Sequence, residues 1–169
     1  MKRMIAMLLC LVLPFVFTRC AAAKTEKQEI TNAAIANPWS AWSSVAEAEQ
    51  AAGFSFGLPE VIAGTYVADE IRTMNTELIE VVYRDGDREV RVRKQEGEGQ
   101  DISGDYNTYD IRTEESYRGG TIISCHSTNN NAVKQLVSYG GYSWSLVAAN
   151  GYWGDSNLDF LRYIWEIEE

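Results

Sequence analysis

Arg84-Asp85-Gly86-Asp87 is the feature that most narrows the fold. It lies between two runs that alternate apolar and charged side chains. Asp-Gly favours a two-residue type I′ turn, because both residues tolerate a positive φ. Such a turn predicts that Val81 faces Val90, Ile79 faces Val92 and Tyr83 faces Arg88. On the other face Arg84 meets Asp87, Glu80 meets Arg91 and Val82 meets Glu89. One face is then apolar and the other carries complementary charge, each pair contributing roughly 0.2–1 kcal/mol. A slip of one residue would scramble both faces. An antiparallel sheet is therefore expected.

Further strands are expected on both sides of this hairpin. Residues 54–58 and 66–73 alternate with period two. Residues 108–117 and 121–127 flank Gly119-Gly120, without an alternation strong enough to set a register. Ala132 to Tyr139 and Tyr142 to Ala149 flank Gly140-Gly141, which predicts Val137 opposite Trp144, Val133 opposite Ala148 and Tyr139 opposite Tyr142. Ser44-Val45-Ala46-Glu47 has the spacing of a capping box, so a helix is predicted over 45–52, with Gly53 at its C-terminal cap. Asp155 or Ser156 caps a second predicted helix that runs to about Ile167. Its wide apolar stripe suits a sheet. The expected fold is α+β: an antiparallel, mostly hairpin-linked sheet of about 6–8 strands, a short N-terminal helix and a C-terminal helix packed on it.

Residues 1–23 read as a secretory signal: Lys2 and Arg3, an apolar run over 4–17 too short for a membrane span, then Ala21 and Ala23. Cleavage is expected before Lys24. A lipid on Cys20 and an uncleaved anchor are the alternatives, and Arg19 before Cys20 disfavours the lipid. Residues 24–37 read as a flexible linker and 38–169 as one domain. Lys2, Arg3 and Arg19 leave with the signal while all 24 acidic residues stay, so the net charge deepens from −9 to −12. No basic footprint for nucleic acid remains. Of the 3 cysteines, Cys10 and Cys20 also leave. Cys125 remains alone, so no internal disulfide is expected. The location expected is outside the cytoplasm, secreted or at the cell envelope. Membrane contact comes only through the signal or a lipid on Cys20.

The runs Asn37-Pro38-Trp39, Ala46 to Phe54, Leu58-Pro59, Met74-Asn75, Leu78 to Tyr83, Val92-Arg93-Lys94 and Asp101 to Asn107 together resemble the domain of unknown function 4367. The stretch from Asp101 to Asn107 is the most specific, and the resemblance spans 37–169. It implies an exported or membrane-tethered bacterial module, some of whose relatives look like the outer part of anti-sigma-type proteins. It brings no catalytic residues. This chain departs from the tethered members in lacking an internal transmembrane helix after its signal.

Catalytic sets are sparse. Cys125 and His126 are adjacent, and adjacent strand residues point to opposite faces, so a Cys–His dyad is not expected. Zinc needs more His and Cys than the chain has. Asp101, Ser103, Asp105 and Asn107 place an oxygen at every second position, as in the first half of a calcium loop. Tyr106 stands where an EF-hand needs glycine and Arg112 where it needs glutamate. Two readings remain for this segment, a looser calcium site or a turn held by side-chain-to-backbone hydrogen bonds. No organic cofactor is expected.

All 5 Trp and 9 Tyr lie after the signal. Trp39, Trp42, Tyr106, Tyr109, Tyr152 and Trp153 fall in or beside loops. They are candidates for stacking on a sugar or anchoring a peptide, though Trp39 and Trp42 can equally cover a sheet edge. The balance leans against an enzyme and towards a module that binds a protein, peptide or glycan at the envelope. A carboxylate-based hydrolase and an accessory part of envelope-stress signalling are the other readings.

Overall fold

A computed structural model describes residues 37–129 and 132–148. In chain order they form β1 (Trp39–Trp42), α1 (Val45–Ala52), β2 (Val61–Ile62), β3 (Tyr66–Met74), β4 (Leu78–Asp85), β5 (Arg88–Glu96), β6 (Ile111–Tyr117), β7 (Gly120–His126), β8 (Val133–Tyr139) and β9 (Tyr142–Ala148). All belong to one antiparallel sheet, except α1. Its order is β1-β3-β4-β5-β9-β8-β7-β6, with β2 beside the start of β3.

This corrects the α+β expectation. Nine strands and a single eight-residue helix make up the described residues, and no C-terminal helix packs on the sheet among them. The helix expected over 155–167 lies outside the described residues, as do the signal and residues 24–36. The two unexpected strands, β1 and β2, are short pieces that line the outer side of β3. Conversely, residues 54–58 are not a strand. The carboxylate of Glu49 accepts from Phe56 N–H at 2.6 Å and Gly57 N–H at 3.1 Å, and Lys94 Nζ donates to Ser55 O at 2.7 Å. Side chains thus satisfy the backbone groups that a neighbouring strand would otherwise take.

Helix α1 forms where the capping residues place it. Ser44 Oγ accepts from Glu47 N–H, and Gly53 closes the helix in the left-handed region at φ 85°. Glu47 reaches back to Ser43 N–H at 2.9 Å, one residue before the cap. The apolar face of the sheet packs beneath this helix. Ile71, Val81, Val92 and Leu146 lie side by side across four strands. Val45, Ala48, Phe54, Phe56 and Leu58 join the same buried cluster. Phe56 meets Trp144 with ring centroids 5.9 Å apart.

The β8–β9 hairpin has the expected register, Val137 on Trp144 and Val133 on Ala148. The β4–β5 hairpin does not. Val81 pairs with Val92, Tyr83 with Val90 and Asp85 with Arg88. Gly86, at φ 60°, is the first of the two loop residues rather than the second. A glycine there suits a type II′ turn, and Asp85 and Arg88 then close the strand ends as an ion pair. The offset is an even number of residues, so every side chain keeps its expected face and only its partner changes.

The other face of β3–β5 is charged and partly buried. Glu80 is fully buried, with Arg72 Nε and Arg93 Nε each 2.5 Å from its carboxylate and Arg91 Nε at 3.7 Å.

Candidate functional site

Topology creates the site. β5 lies mid-sheet and β6 at the far edge, so residues 97–110 must cross β9, β8 and β7. They cross on the charged face. Ser138 Oγ and Ser143 Oγ accept from Gly99 N–H and Gln100 N–H at 2.9 and 3.1 Å. Glu98 Oε1 accepts from Gly141 N–H at 2.8 Å. Arg93 Nη1 donates to Ile102 O at 2.9 Å, and Ile102 and Ser103 are the buried residues of the crossing. Gly104 sits at φ 61° against the Arg93 guanidinium, where a Cβ would collide with it.

Between this crossing and the strands is an open cleft of about 730 Å³. Ile123, Leu136, Cys125 and Lys134 form its floor, Ile123 paired with Leu136 and Cys125 with Lys134. Asp101, Asn107 and Tyr109 contribute from the crossing, and Arg112 and Glu114 from β6. Lys134, nearly buried, is the hub. Its Nζ lies 3.2 Å from Asp101 Oδ2 and 3.3 Å from Asp105 O, and 5.5 Å from the centre of the Tyr109 ring.

Within the crossing, every second residue binds the next. Asp101 Oδ1 accepts from Ser103 N–H and O–H at 3.0 and 2.5 Å, and Ser103 Oγ accepts from Asp105 N–H at 3.2 Å. Asp105 Oδ1 accepts from Asn107 Nδ2 at 2.6 Å, and its other oxygen from Tyr109 O–H at 2.5 Å. In this candidate calcium segment the side-chain oxygens of Asp101, Ser103 and Asp105 accept from N–H or O–H donors, and Asp101 also from the Lys134 ammonium. Among the described residues no group of three or more His, Cys, Asp or Glu is placed to hold a metal ion.

Electrostatics follow the same contacts. Burial acts to raise the Asp101 carboxyl, but the Ser103 hydrogen bonds and Lys134 together outweigh it and hold the group below the ordinary aspartate range. Burial and the Asp105 carboxylate push the Tyr109 phenol well above its usual value. Asp101 is thus held as an anion, unsuited to donate a proton as a general acid near neutral pH.

The candidate aromatics are dispersed. Trp42 Nε1 donates to Thr73 Oγ1 at 3.0 Å, and its ring packs against the apolar core. Trp39 lies under the guanidinium groups of Arg72 and Arg93, 4.6 and 5.5 Å from their carbons. Tyr109 lines the cleft, whereas Tyr106 is 97% exposed and is not among the lining residues. Tyr152 and Trp153 lie outside the described residues. Cys125 opens onto the cleft face, and His126, next along the strand, belongs to the opposite face.

Sequence reasoning missed Lys134, Ile123 and Leu136. Lys134 carried a signal, a lone cation in the run Ala132-Val133-Lys134-Gln135-Leu136-Val137. No family model, curated protein or solved structure matches this chain.

Proposed function

We propose that this chain is an exported cell-envelope module that binds without catalysis, and that the cleft beneath residues 97–110 takes a short extended peptide. The observation that carries this reading is the composition of the cleft. It combines an apolar floor, Ile123 and Leu136, with acids and bases at its walls, Glu98, Glu114 and Arg112. Peptides offer both apolar side chains and charges of both signs, whereas neutral sugars offer no charge. Its volume falls within the usual range for ligand sites, roughly 300–1,000 Å³. The depressed Asp101 supports binding over acid catalysis. The signal-like pattern of residues 1–23, a charged start, an apolar run and Ala21 and Ala23, is the feature that favours the envelope location.

The test is calorimetric titration of the purified protein with pools of short peptides and, in parallel, with neutral oligosaccharides. Peptide heats are expected, and they are expected to vanish in Ile123→Glu, which places a charge on the apolar floor. Heats from oligosaccharides alone, or peptide binding unchanged in Ile123→Glu, would refute the reading.

A further inference from the structure

We propose that β6 pairs antiparallel with β6 of a second copy of this chain, centred on Thr113. Among the described residues the two edges of the sheet are unlike. At one edge β3 carries a bulge at Ala68/Glu70 and is covered by the short strands β1 and β2. At the other, β6 runs seven residues beside β7 in unbroken register. All seven are exposed, including Ile111 at 47% and Tyr117 at 52%. An edge of that kind is a template for another strand.

Hydrogen-bond parity limits the pairings. Arg118 and Gly119, at φ 47° and 84°, form the two-residue loop between the paired Tyr117 and Gly120. In such a hairpin the pair next to the loop exchanges both backbone bonds, and every second pair after it does the same. Residues 111, 113, 115 and 117 therefore direct their N–H and C=O groups to β7. Residues 112, 114 and 116 direct theirs outward.

Among centres from residue 112 to 115, charge then selects the register. A two-fold centred on Arg112 or on Glu114 sets that residue against itself, and one on Glu115 sets like charges together as well. A centre at Thr113 sets Arg112 opposite the partner's Glu114 and Glu114 opposite the partner's Arg112. Both are outward-bonding positions, so backbone bonds and ion pairs coincide. Arg112 Nη2 and Glu114 Oε2 already lie 3.1 Å apart within one chain, on the same face. The four charges would alternate across the two-fold axis. This inference does not rest on the peptide reading, because its readout needs no ligand.

Sedimentation velocity of the purified protein at low salt tests it. One strand pair is a small interface, so association is expected between about 10 μM and about 1 mM. Added salt should weaken it. Glu114→Pro removes an outward N–H and leaves the β7 bonds of 113 and 115 in place, so it should abolish the dimer. Arg112→Glu and Glu114→Arg should each weaken association by about tenfold or more. The double reversal should restore it. Far-UV circular dichroism matching the parent verifies the fold of each variant, and the charge series stands if the proline variant does not fold. A monomer at every concentration, or a dimer that persists in Glu114→Pro, would overturn the proposal.

Discussion

Glu80→Ala is expected to be among the most damaging single changes on the charged face. The side chain is fully buried. It stands on β4 directly between Arg72 on β3 and Arg93 on β5, its register partners. Removing one member of a buried ion pair costs about 3–5 kcal/mol, because the remaining charge is left uncompensated. The three arginines do not suffer equally. Arg72 and Arg91 are 30% and 33% exposed and can turn to water, so their share is discounted. Arg93, only 12% exposed, retains the carbonyl of Ile102 and the face of the Trp39 ring. The expected loss is therefore near the lower end, about 3 kcal/mol. Glu80→Gln keeps the volume and one acceptor and should lose about 2 kcal/mol. With a urea dependence of about 1–3 kcal/mol per molar, the unfolding midpoint of Glu80→Ala should fall by roughly 1–3 M. A double-mutant cycle with Arg93→Met isolates the pair. If the network matters as described, Glu80→Ala costs far less once Arg93 is gone. A coupling energy under about 0.5 kcal/mol, within ordinary additivity, would refute the reasoning.

Acid stability should report the cleft. Asp101 is held below its ordinary 3.8, so its contribution is complete above that value and is lost as the pH falls through its lower folded value. Urea midpoints should drop below about pH 4, and Asp101→Asn should flatten that drop in part. Asp110, held down by Thr128, acts in the same direction and supplies some of what remains. An unchanged acid profile in Asp101→Asn would count against the Ser103 and Lys134 contacts. Gly104→Ala forces a side chain into a left-handed position against Arg93, at a cost of about 1–3 kcal/mol. Hydrogen exchange should quicken over 101–107 and stay slow in β8 and β9. Equal exchange in both forms would show that Arg93 does not fasten the crossing.

How much was legible in the sequence depended on distance along it. Helix α1 and the β8–β9 hairpin rest on neighbours, a cap at Ser44 and a Gly-Gly loop, and both could be read residue by residue. The β4–β5 hairpin was read on the right faces with the wrong partners, because hydrophobic alternation fixes parity and not the turn. Residues 54–58 alternate like a strand, yet their backbone partners are the side chains of Glu49 and Lys94. No period reveals that. The crossing was singled out for its oxygens at 101, 103, 105 and 107. Lys134, which binds Asp101 and the backbone of Asp105, arrives from β8 about thirty residues later, so the cleft was visible only as half of its walls.

The last described strand, β9, lies at the middle of the sheet, between β5 and β8. A chain that emerges from its N-terminal end completes β3, β4 and β5 long before β9 exists. Until then β5 presents an unpaired row of backbone groups, with Val90 and Val92 uncovered on one side. Non-local closure of this kind is slow, and open strand edges favour aggregation meanwhile. Truncation before Tyr142 would leave a divided sheet rather than a shorter one. Folding of this protein therefore depends on the β8–β9 hairpin, and a holding chaperone would do most good in the interval before β9 emerges.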